Sequence, residues 1–127
     1  MTTNTYYVQG RVDASGEFAL CSYFLDKAAT QPYAAAALHI PTNAGGCLIA
    51  QADGSELVLL GSVYKTLGLP PALNNSNYSP SNDEGVTAVP MPLLEVVTKG
   101  VVLLFADRGE VTSLYPSSDP QVINDEG

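Results

Sequence analysis

Apolar side chains come in short runs along this chain, and a glycine stands between one run and the next. YYVQGRVD (Tyr6 to Asp13) and EFALCSYFL (Glu17 to Leu25) flank Ser15-Gly16, while CLIAQA (Cys47 to Ala52) and ELVLLGSVY (Glu56 to Tyr64) flank Asp53-Gly54. PLLEVV (Pro92 to Val97) and VVLLFA (Val101 to Ala106) flank Lys99-Gly100, and Arg108-Gly109 precedes EVTSLY (Glu110 to Tyr115). Short runs rich in β-branched and aromatic residues predict strands, and a glycine that accepts positive φ predicts a tight turn between them. Connections this short join antiparallel neighbours, because a parallel pair needs a crossover of about a dozen residues or more. YVQGRV and EVTSLY alternate apolar and polar positions, as strands with one wet face do. CLIA, LVLL and VVLLFA run apolar without a break, which predicts central strands buried on both faces. The expected fold is all-β: a small antiparallel β-sandwich or partly closed barrel, in one domain over 1–127.

Two stretches interrupt the strand rhythm. DKAATQPYAAAALHI (Asp26 to Ile40) is rich in alanine, the best helix former, but Pro32 forbids a helix through its middle; one short helix over about 33–38 is expected. The segment 68–85, GLPPALNNSNYSPSNDEG, is long, polar and rich in proline and asparagine, and predicts a long loop. It reads as a surface insertion, as an arm that orders on a neighbouring subunit, or as a ligand lid. The last residues, 116–127, predict an extended tail in which the apolar pair Val122-Ile123 docks on this subunit or on another.

Composition narrows the function more than the pattern does. Hydrophobic residues make up 46 % and charged residues 14 %, against the roughly 25 % charge of an ordinary soluble protein, so part of the surface is expected to be covered by a partner. Five basic residues against thirteen acidic ones give a net charge of −8, which disfavours nucleic acid. No apolar run approaches the roughly 18 residues of a spanning helix, and MTTNTYYVQG does not read as a signal peptide; no membrane association is expected, and the chain reads as cytoplasmic unless assembled into a particle. The two N-x-S triplets at Asn74 and Asn77 then read as accidents of the loop rather than glycosylation acceptors.

Candidate chemistry is sparse. Cys21 and Cys47 lie in apolar runs without a metal-ligand pattern and read as reduced core residues, with a cross-strand disulfide as the alternative. His39, the sole histidine, cannot build a multi-histidine metal site, and reads as structural rather than as a general base. Phosphate-cradling glycine motifs are absent. Neither cofactor nor metal is expected, and the chain is not expected to be an enzyme. The seven tyrosines are strand residues or contact residues. Tyr78, in its polar surroundings, favours contact, and Tyr6, Tyr7 and Tyr115 join it as partner-binding candidates. Asn74, Asn75 and Asn77 are added from the loop, and Val122 and Ile123 from the tail.

YYVQGRVD at the start, DGSELVLLGSVY in the middle and GVVLLFAD late resemble the small β proteins that decorate phage capsids. The resemblance implies a cement protein on the capsid exterior: a β body, often trimeric, that sits where capsomers meet and grips the major capsid protein through terminal or loop extensions. It supplies no functional residue. The expected function is therefore non-enzymatic: stabilising a virion shell by subunit–subunit contacts, as a homo-oligomer. The alternative is a small β binding module for a carbohydrate, small molecule or host protein, or another assembly protein.

Overall fold

The computed structural model describes residues 3–68, 77–109, 113–118 and 120–126. Two mixed sheets pack face to face as a sandwich that does not close into a barrel. In order across the first sheet lie β3 (Pro32–Tyr33), β2 (Ala19–Phe24), β1 (Thr5–Val12), β5 (Gly46–Gln51) and β8 (Val86–Pro90). The second runs β4 (Ala37–Pro41), β11 (Gln121–Glu126), β9 (Thr98–Asp107), β6 (Leu57–Thr66) and β7 (Asn77–Pro80). A short β10 (Leu114–Pro116) shares an edge of β9 with β11, the two lying end to end. Antiparallel pairing dominates, as expected from the short turns, but β1 with β5 and β4 with β11 are parallel.

Alternation of side chains builds the core. Tyr6 and Val8 of β1, Ile49 of β5 and Val89 of β8 meet Leu103 and Phe105 of β9 and Val122 of β11 between the sheets. Gly10 continues the inward face of β1 and leaves room for an aromatic ring: a Cβ there would sit 2.7 Å from Cε1 of Phe105. Tyr6 ties the sheets together. Its hydroxyl donates to the His39 carbonyl on β4, and its ring packs 4.7 Å from that of Tyr33. Burial pushes the phenol pKa far up, so the group stays a donor.

Several expectations need correction. No described residue is helical, so among the described residues there is no helix long and apolar enough to cross a membrane. The alanine-rich stretch forms β3 and β4, because Leu38 and Ile40 alternate inward while β4 pairs with β11, and that pairing overrides alanine's propensity. Gly54 has the positive φ of a turn, +81°, but that turn passes the chain from β5 in one sheet to β6 in the other. Lys99-Gly100 is no turn: both lie within β9. The three apolar runs are central strands, but each keeps one half-exposed face; Leu48 and Val102 both look outward. The expected tail is β11, held between β4 and β9. Within 68–85, Asn77–Pro80 form β7, and residues 82–86 turn tightly around the Asn82 side chain, which accepts from the Glu84 and Val86 amides. Residues 69–76 lie outside the described residues.

Two predictions follow from these contacts. Gly10→Ala should destabilise the fold by about 1–3 kcal/mol, because the Phe105 ring is fully buried and has nowhere to move; urea unfolding with an unchanged m-value would measure it. Two exposed turns should loosen in acid. Asp13 accepts from the Ser15 hydroxyl and the Gly16 amide, and Asp26 from the Thr30 hydroxyl and the Gln31 amide. These bonds, above all the hydroxyl ones, hold both carboxyls below their ordinary 3.8. The contribution is thus complete above that value and lost as pH falls through the lower folded value. Gly16 and Thr30 amide shifts followed against pH should titrate there, and Asp13→Asn should abolish the transition at Gly16.

Candidate functional site

The residues singled out in the sequence do not gather in one place. Tyr6 is 2 % exposed and Val122 is fully buried, so both belong to the core and present nothing to a partner. Val122 docks on its own subunit. Tyr7 is half-buried on the outer face of the first sheet, opposite Phe24. Tyr115 is half-buried on β10, its hydroxyl 3.5 Å from an Asp107 carboxylate oxygen. Ile123 faces outward on β11 and is half-buried. Asn77 is exposed at the start of β7, and Asn74 and Asn75 lie outside the described residues. Tyr78 is 50 % exposed; its ring lies against the backbone of Gly61, where a Cβ would come within 2.6 Å of its hydroxyl oxygen.

A stronger candidate lies in PLLEVV, read from sequence as a strand but folded as the crossover from β8 to β9 at one end of the sandwich. Leu93, Leu94 and Val96 point into solvent at 63 %, 81 % and 60 % exposure. This apolar knob is rigidly held. Asn124 on β11 is fully buried, and its carboxamide donates to the Pro92 carbonyl (3.0 Å) and the Glu95 carbonyl (2.7 Å) while accepting from the Val97 amide (2.7 Å). The Leu94 amide donates to the Thr42 carbonyl (3.0 Å). Leu94 itself sits at φ +59°, a left-handed conformation that costs a branched L-residue about 1 kcal/mol or more. A large aliphatic side chain is thus carried in a strained backbone and turned away from the core. The signal for this loop was present in PMP: prolines at 90 and 92 cannot donate to a ladder, which argues against a strand beginning there. No sequence pattern pointed to Asn124.

The outer face of the second sheet carries an open groove of ≈ 610 Å³. Val63 and Val102 form its wall from adjacent strands, Gly100 its floor, Leu67 and Pro120 its sides, and exposed Lys65 its rim. Glycine at 100 lets Leu67 lie close, its Cδ2 only 3.2 Å from where a Cβ would be.

Several ionisable groups elsewhere serve the fold. His39 Nδ1 lies 2.8 Å from Asp125 Oδ1, linking β4 to β11. Lys99 donates to the Pro90 carbonyl and sits 5.2 Å from the centre of the Tyr64 ring; burial pulls its pKa below the usual lysine value. Neither cysteine is in a disulfide, and burial pushes the Cys47 thiol up to about 12. Among the described residues, no three His, Cys, Asp or Glu side chains gather as a metal site.

Asn124→Ala should cost about 3 kcal/mol by stranding one amide and two carbonyls, and should speed hydrogen exchange at the Val97 amide. Unchanged exchange at Val97 would mean that the carboxamide does not hold the loop. Compared with family models, curated proteins and solved structures, the chain matches none.

Proposed function

We propose that the chain is a non-enzymatic structural protein of a virion, a decoration protein that stabilises a capsid from its exterior through contacts between subunits. The observation that carries this reading is the knob: three aliphatic side chains held out in solvent on a pinned and strained loop. Strain of this kind persists only where the surroundings enforce it, and it gathers at functional positions. A rigid apolar anchor loses little conformational entropy on docking, which suits a clamp that must grip without chemistry. The low share of charged residues agrees with a surface that is covered in use. The shell as the setting comes from the likeness of YYVQGRVD, DGSELVLLGSVY and GVVLLFAD to capsid-decorating β proteins. The partners on this reading are further copies of the chain and the major capsid protein.

The test uses shells from virions grown without this gene. Purified chain should bind to them and raise their resistance to heat or low salt, whereas Leu93→Ser/Leu94→Ser should fold normally and fail to bind. Binding by neither protein would remove the capsid reading. Leu94→Gly separates display from folding. Relief of the left-handed strain, about 1 kcal/mol, roughly offsets the entropy glycine adds to the unfolded chain, so the melting temperature should hold or rise while shell binding weakens.

A further inference from the structure

We infer that the groove on the second sheet is the receptor for the Leu93–Val96 knob of a second copy of this chain. The inference rests on the knob being a contact anchor and names what it contacts. The knob cannot fill its own molecule's groove, because Asn124 and the Thr42 carbonyl fix its loop in place. It therefore meets a groove only on another molecule.

Complementarity of charge selects a second copy as the occupant. Glu95 lies exposed between Leu94 and Val96, the acid in an otherwise aliphatic knob. Exposed Lys65 stands between outward-facing Val63 and Leu67, the cation on the rim of an otherwise aliphatic groove. Two other basic side chains are already engaged with carbonyls of their own chain, Lys99 with Pro90 and Arg108 with Ser55. For a molecule of net charge −8, an apolar contact with a matched opposite pair at its edge is one of the few places where two copies meet without added repulsion. Each side also offers area to the other: Val102 and Leu67 remain partly exposed in the groove, as Leu93 and Leu94 do on the knob. Knob and groove are different patches, so the contact is made either twice about a two-fold axis, each knob in the other copy's groove, or head-to-tail, closing a ring or extending as a filament according to the rotation between copies.

Charge reversal tests the pairing. By analytical ultracentrifugation the full chain should self-associate, and Lys65→Glu or Glu95→Lys alone should weaken this at least about tenfold, since each sets like charges together at the contact. The double variant should recover most of the loss. Melting temperatures near that of the parent chain would establish that all three variants fold. Mixing adds an independent readout: Leu93→Ser/Leu94→Ser keeps its groove and Lys65→Glu keeps its knob, so the mixture should form a one-to-one dimer while each alone stays monomeric. A parent chain that remains monomeric overturns the inference, even if it still binds shells through the knob. So does a double variant no better than the singles, or a groove that takes a small apolar ligand while the chain's mass stays that of one copy.

Discussion

A carboxamide sealed inside a β-sandwich has two N–H donors and an acceptor oxygen to satisfy without water, and leaving any of them unpaired costs about as much as a well-made hydrogen bond contributes several times over. Asn124 satisfies its own by taking the backbone of one crossover loop as its partner. That choice fixes three things together. The β8–β9 crossover gains a conformation although Pro92 cannot donate to either ladder, the last strand acquires its depth in the second sheet, and the side chains between the pinned carbonyls have nowhere to go but outward. An apolar residue at 124 would leave those backbone groups unpaired at the sandwich end, and a charged one would be buried without a counterion.

The strand that carries Asn124 also joins distant parts of the chain. It pairs in parallel with β4 and antiparallel with β9, so its position depends on segments that follow one another far apart in sequence. Tyr6 extends the same logic across the layers, its hydroxyl on the carbonyl of His39, whose ring in turn meets Asp125. First strand, fourth strand and last strand are locked around one end of the sandwich, and the knob stands at that end. Contacts of such long range form late and slowly, which makes the display loop dependent on completion of the fold rather than on local structure.

What could be read from the residues alone divides along the same line between local and distant. Strands β1, β2, β5, β6 and β9 were legible, since β-branched runs and glycine punctuation are local signals, and the Ser15-Gly16 hairpin is where the pattern puts it. Glycine turns at 54 and the glycine within β9 look alike in sequence, yet one changes sheets and the other lies flat beneath Leu67; only the partner strand decides. The alanine run misleads because propensity is weaker than pairing, and the acidic tail misleads because Val122 and Asn124 show their inward alternation only once β4 and β9 flank them. Tyrosine chemistry pointed at surfaces, but the hydroxyl of Tyr6 finds its partner inside the molecule. The exposed leucines went unnoticed for the opposite reason: an apolar run is read as core by default, and no local signal distinguishes a leucine held out from one folded in.

Self-association of so acidic a chain has an electrostatic cost that sets how the proposed contact must work. Repulsion between the net charges acts at a distance but is screened within about 8 Å at physiological salt, whereas apolar burial acts only at contact. Copies therefore meet reluctantly and hold well once seated, with association favoured as salt rises. The single pair of Glu95 and Lys65 cannot reverse the long-range term, and an exposed ion pair contributes about 1 kcal/mol at most. Its effect is on selection. An acidic patch brings acid to acid as it approaches the knob, so the groove with a lysine on its rim is favoured less by what it gains than by what such competitors lose.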